Sequence, residues 1–210
     1  VDARGAGGHN VNFVLSASEE HNLRNSRRTI QESLDAFKEL AEEAKDLHMT
    51  LSLPCAFGSP FGDEVPVDRL KWLIEEAEKV GVEEIGVADT AGISNPANTR
   101  RVLEAIKNYT DISKVTLHMH DTYGMGIANA YVGLEEGVTM LESSLAGMGG
   151  CPFVPGAKGN IATEDLLYML HDMGIDTGYD LTQVNQVAVE MAEEIQADVV
   201  SCQGAVCKHR

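Results

Sequence analysis

A chain of 210 residues, 43% hydrophobic and 23% charged, is long enough for one substantial core. Its formal net charge of −17 argues against non-specific nucleic-acid binding, which needs a basic face, and against docking on an anionic membrane. Four scattered cysteines (Cys55, Cys151, Cys202 and Cys207) do not make a disulfide scaffold or a zinc ribbon, so a reducing compartment is expected, with no membrane span and no signal peptide.

Val1 to Asn10 has no periodicity, and Val11 to Ser16 then predicts a buried strand ending in small polar residues. Ile30, Leu34, Phe37, Leu40, Ala41, Ala44 and Leu47 recur at helical spacing and predict one long helix. Met49 to Leu53 predicts the next strand, followed by a Pro/Gly loop from Pro54 to Pro66 and a helix marked by Leu70, Leu73, Ile74, Ala77 and Val80, with Gly81 past its end. The unit repeats. A strand over Glu84 to Ala88 ends at Asp89-Thr90, and Asn95-Pro96 opens a helix as N-cap and first residue, with Val102, Leu103 and Ile106 inward. Val115 to His120 predicts a strand, and Ile127, Tyr131 and Leu134 a short helix. Thr139 to Leu145 predicts a fifth strand that opens into a glycine-rich loop. Leu166, Leu167, Leu170 and Met173 mark another helix, and Asp180 caps a last one through Val184, Val187, Met191 and Ile195, before a polar tail carrying Cys202 and Cys207.

This alternation predicts parallel β/α units. Polar residues cluster just after the strands (Ser16, Ser18, Asp89, His118, His120, Cys151), which is the catalytic face of a (β/α)8 TIM barrel. A doubly wound sheet would also place ligands at strand ends, but no G-x-G-x-x-G fingerprint supports it. Only five of the eight strands have a signal, in a single domain spanning 1–210.

His118 and His120 stand at i and i+2 on a strand, so their rings project from one face, a start for a divalent-metal site; the alternative is a pair of hydrogen-bonded core histidines. The loop from Gly147 to Asn160 carries Cys151 at one end and a carboxamide at the other, and its length marks a lid or binding loop. Together the two stretches read as one active site. Asp89 faces the same rim, where it either orients a metal-binding histidine or makes a turn with Thr90 and Gly92. Glu164 and Asp165 sit in the first turn of a helix, where acidic residues are favoured anyway, and His9, His21, His48, His171 and His209 receive no role.

His118-Met119-His120-Asp121-Thr122-Tyr123-Gly124, Gly149-Gly150-Cys151-Pro152-Phe153 and Gly159-Asn160-Ile161-Ala162-Thr163-Glu164-Asp165 resemble the 3-hydroxy-3-methylglutaryl-CoA lyase family, as do Ser16-Ala17-Ser18-Glu19 and Gly86 to Gly92. The resemblance implies a carbon–carbon lyase that cleaves 3-hydroxy-3-methylglutaryl-CoA to acetyl-CoA and acetoacetate in leucine degradation. It implies a metal, Mg²⁺ or Mn²⁺, held by His118, His120 and Asn160, with Cys151 delivering a proton to the enolate and His118 as a further proton-transfer group. Lys158 is then a candidate for the CoA phosphates, the alternative being a solvated lysine. A homodimer in a bacterial cytoplasm or a mitochondrial matrix is implied as well. The five strands resemble the fourth to eighth of the family barrel. The first three, with their Arg-Asp pair and a Glu, have no counterpart, and the compressed join at residues 6–7 predicts a chain break. A Claisen-type synthase of the same superfamily would carry His-x-His-Asn-Asp, and a biotin-dependent carboxytransferase shares His-x-His; neither has the Gly-Gly-Cys-Pro loop. From another class, a non-catalytic partial barrel acting as a binding module fits the missing strands.

Overall fold

Five parallel strands lie side by side in sequence order: β1 (Asn10–Val14), β2 (His48–Leu53), β3 (Glu84–Asp89), β4 (Val115–Met119) and β5 (Met140–Glu142). The computed structural model describes residue 5 and residues 7–150, 157–197 and 201–207. Cys151 and the join predicted at residues 6–7 therefore lie outside the described residues or at their edge.

Period-2 alternation gives the sheet its two faces. In register, Leu53, Val87, Leu117 and Leu141 run across one face, with Phe13, Leu51, Ile85 and Val115 below them. Most of these are fully buried under the helices α2 (Ile30–Glu43), α3 (Val67–Lys79), α4 (Pro96–Ile106) and α5 (Gly126–Glu135). The other face is polar and small: Ser52, Gly86 and Thr116 form one row, and Ala88, His118 and Glu142 form the next. A parallel sheet with helices outside and a polar concave face is a partial (β/α) barrel.

Helix boundaries follow their caps. Thr29 and Glu32 close α2 with a capping box. Asn95 accepts from Asn98 N with Pro96 first in α4, and Asp180 accepts from Thr182 N and Gln183 N at the start of α7 (Leu181–Glu194).

Five elements differ from the sequence reading. The long helix stops at Glu43, and Leu47 lies in the turn before β2. Before it stands an unpredicted helix, α1 (Glu19–Ser26), which has no apolar stripe because polar bonds hold it instead. Ser18 caps it, and the Asn22 amide donates to Arg28 O, Thr29 O and Ser33 Oγ while accepting from Ser16 N. The fifth strand is only Met140–Glu142, because Ala146 takes a left-handed φ of 55° and turns the chain at Leu145. On α7 the buried residues are Asn185, Ala188 and Ala192. The stripe of Val184, Val187 and Met191 lines a cleft of about 1170 Å³ beside the free edge of β5, and Ile195 is exposed. Between them, α6 (Thr163–Asp172) packs on α7. The C-terminal stretch is not a plain tail: Cys202–Cys207 forms α8, and the Asp165 carboxylate accepts from its first two amides.

Candidate functional site

β4 delivers the imidazoles. His118 faces the concave side, and His120, one residue past the strand, pairs as an isolated antiparallel bridge with Asn160. The two rings meet through Nε2 atoms 3.1 Å apart, with centroids 5.1 Å apart and planes tilted by 51°. On its far side, His118 Nδ1 lies 2.7 Å from Glu142 Oε2. His120 is buried, and its pKa is lowered to about 4, first by burial and then by the charge of His118. The Thr90 backbone opposes this by less, and Nδ1 of His120 has no partner in hydrogen-bonding geometry. The hydrogen bond from His118 holds the Glu142 carboxyl below its ordinary range.

Asn160 is fixed by a laced backbone. Asp121 N donates to Gly159 O, Ile161 N to Met119 O and Ser144 N to Ile161 O, so the strand after the loop is threaded between β4 and the end of β5. Its side-chain amide donates to Met148 O at 2.7 Å, which spends the Nδ2 end on the opposite foot of the loop. The Oδ1 end is buried and has no hydrogen-bond partner, an arrangement that costs free energy unless a donor or cation occupies it. The feet touch tightly. Gly159 has φ +96°, and a Cβ there would lie 1.9 Å from Gly149 O.

The donor set fits a divalent cation. Two nitrogens bound at right angles at roughly 2.1 to 2.2 Å would stand about 3.1 Å apart, and the two Nε2 atoms are 3.1 Å apart. Imidazole with amide oxygen suits a hard or borderline ion. Among the described residues no three His, Cys, Asp or Glu side chains converge on a metal position. What the described residues show instead is two imidazoles in contact, with Asn160 bridged to His120 through the backbone and lining the same cleft as His118, its amide oxygen without a hydrogen-bond partner.

Of the other residues singled out by sequence, Asp89 is fully buried at the end of β3, where its two oxygens accept from Ile93 N (3.1 Å) and Ser94 N (2.8 Å). Burial raises its pKa and these amides pull it back. Its hydrogen bonds thus build the 89–94 turn, which packs so closely on the histidine loop that a Cβ on Gly92 would lie 2.7 Å from Thr122 N. Lys158 is exposed next to Gly159. Cys151 is outside the described residues; the feet of its span approach each other, Gly150 lying beside Ala157 O. Glu164 is buried and accepts from Ala146 N, a loop-bracing role.

Sequence reasoning missed two groups. Glu142 was read only as part of a strand, although a strand beside β4 with matched register puts it across from His118. His21, left without a role, is buried and stacked on Phe61, with Asp63 nearby holding Ser18 and Ser59.

A model of the HMGL-like family matches residues 1–190. Hydroxymethylglutaryl-CoA lyase YngG of Bacillus subtilis is 37% identical over 183 residues, which is 86% of this chain and 61% of that protein. The crystal structure of the B. subtilis HMG-CoA lyase superposes with a TM-score of 0.93 at 35% identity, covering 98% of this chain and 70% of the other. An HMG-CoA lyase from Acinetobacter baumannii, in complex with coenzyme A and 3-methylmalate, superposes at 0.92 with 34% identity, over 97% of this chain and 67% of that one. The chain thus spans less than two thirds of the length of the B. subtilis relative.

Proposed function

Because the chain belongs to the HMGL-like family, we propose that it carries the imidazole–amide and thiol part of a lyase that cleaves 3-hydroxy-3-methylglutaryl-CoA to acetyl-CoA and acetoacetate. The observation that carries this reading is the approach of two Nε2 atoms to 3.1 Å at the end of a parallel sheet, where Asn160 bridges His120 through the backbone and keeps a buried amide oxygen without a hydrogen-bond partner. On this reading His118, His120 and Asn160 hold Mg²⁺ or Mn²⁺. When bound, the ion supplies positive charge that favours ionisation of the substrate's tertiary hydroxyl.

The chain's own groups supply the rest. As the carbon–carbon bond breaks, the tertiary hydroxyl loses its proton and its oxygen becomes the keto oxygen of acetoacetate. The bonding pair passes to the thioester fragment as an enolate. The Cys151 thiol gives its proton to that enolate carbon, which forms acetyl-CoA, and the thiolate is reprotonated by the proton taken from the hydroxyl. His118 is the second proton-transfer group of the site: its Nδ1 lies 2.7 Å from Glu142 Oε2. On this reading the glycine-rich stretch serves as the lid that excludes water; its two ends are tied where the Asn160 amide donates to Met148 O. Lys158 reaches towards the CoA phosphates. A dimer acting in leucine degradation, in a bacterial cytoplasm or a mitochondrial matrix, completes the proposal.

The test is product analysis. With Mg²⁺ or Mn²⁺ the protein should release acetoacetate and acetyl-CoA in equal amounts from 3-hydroxy-3-methylglutaryl-CoA, and His120→Ala should abolish this. Product formation unchanged in His120→Ala would overturn the reading.

A further inference from the structure

We propose that Glu142 is a positioning residue that fixes the tautomer of His118, turning the Nε2 lone pair into the site; the proposal rests on the metal reading above. The β4–β5 register sets Glu142 directly across from His118 on the concave face. Its Oε2 is 2.7 Å from Nδ1. An ionised carboxylate only accepts hydrogen bonds, so the proton of a neutral His118 belongs on Nδ1 and the lone pair on Nε2.

That lone pair faces His120 Nε2 at 3.1 Å. Two nitrogens at this distance need one proton between them, or a cation that both can reach. With His118 fixed as the Nδ1–H tautomer, His120 donates in the absence of an ion.

Glu142 is well placed to hold this orientation. It is the last residue of β5, bonded through the ladder to β4, and two residues later Ser144 is tied to Ile161 O and Thr163 N. Its side chain is half exposed, so the carboxylate keeps access to solvent while it meets Nδ1. The Asp89 carboxylate, which the sequence offered for this task, spends its oxygens on the Ile93 and Ser94 amides. A carboxylate that accepts from a metal-bound imidazole fixes ring orientation and raises ligand basicity.

The experiment pairs two readouts on the metal-free and Mn²⁺-titrated protein. In long-range ¹⁵N–¹H spectra of histidine-labelled, metal-free protein, His118 should be protonated on Nδ1, and Glu142→Ala should shift the proton towards Nε2. Mn²⁺ affinity should fall about 10- to 100-fold in Glu142→Ala and by less in Glu142→Gln, which keeps an acceptor oxygen. The circular dichroism of both variants should match wild type. A His118 protonated on Nε2 in the wild type, or Glu142→Ala binding Mn²⁺ as tightly as wild type, overturns the proposal. His118→Ala and His120→Ala separate it from the reading beneath. If both keep full Mn²⁺ affinity, the metal site itself falls, while the tautomer spectrum still decides what Glu142 does.

Discussion

Replacing Gly159 with alanine puts the strongest steric demand on the base of the loop. The new methyl would start 1.9 Å from Gly149 O and 3.0 Å from Gly147 O, whereas ordinary contact begins at 3.4 Å. The feet of the loop must therefore part by about 1.5 Å, far beyond what a close-packed site absorbs silently. The backbone is also held at φ +96°, a conformation that costs a non-glycine residue about 1 to 3 kcal/mol. Parting the feet strains the Asn160–Met148 and Asp121–Gly159 hydrogen bonds, each contributing roughly 1 kcal/mol. The sum is a loss on the order of 3 to 5 kcal/mol, together with displacement of Asn160, the next residue. Urea denaturation reads the first effect and Mn²⁺ titration the second. A destabilisation below about 1 kcal/mol with unaltered Mn²⁺ affinity would refute the idea that this contact sets the site.

Leu117 is fully buried at the centre of the sheet, so Leu117→Ala should cost roughly 2 to 5 kcal/mol in urea denaturation. His120 has its pKa lowered from 6.5 to about 4. The unfolded chain therefore takes up the extra proton first, and stability that is complete above pH 6.5 falls as the pH drops towards 4. Metal-free protein should lose on the order of 3 kcal/mol across that window, and His120→Asn should flatten the slope. Cys151→Ala should lower turnover by about 10² to 10⁴ while leaving Mn²⁺ affinity unchanged. Chelation by EDTA should stop product release, and added Mg²⁺ or Mn²⁺ should restore it.

The parallel β/α order and the polar rim after the strands were legible because β2, β3 and β4 are short apolar-rich runs, each bounded by loop or cap residues. Asn95-Pro96 and Asp180 announced their helices for the same reason: a cap is a local chemical signal. The helix α1 was invisible because its stability comes from Asn22 and Ser18 rather than from an apolar stripe. The stripe on α7 misled in the opposite sense, since Val184, Val187 and Met191 line an open cleft and the small residues Ala188 and Ala192 make the helix packing. At the site, the i, i+2 spacing of His118 and His120 was enough to put the rings on one side. Glu142 needed the register between two strands, which no local pattern carries. Asp89 could not be resolved from spacing, because a turn-forming and a histidine-orienting carboxylate look alike until their acceptors are known.

Mn²⁺ binding followed by electron paramagnetic resonance tests the central claim most directly. The account predicts one tightly held Mn²⁺ per chain, lost in His120→Ala and weakened in Asn160→Ala, whose amide oxygen has no other partner. An ion bound equally well by both variants, or no bound ion at all, would contradict it.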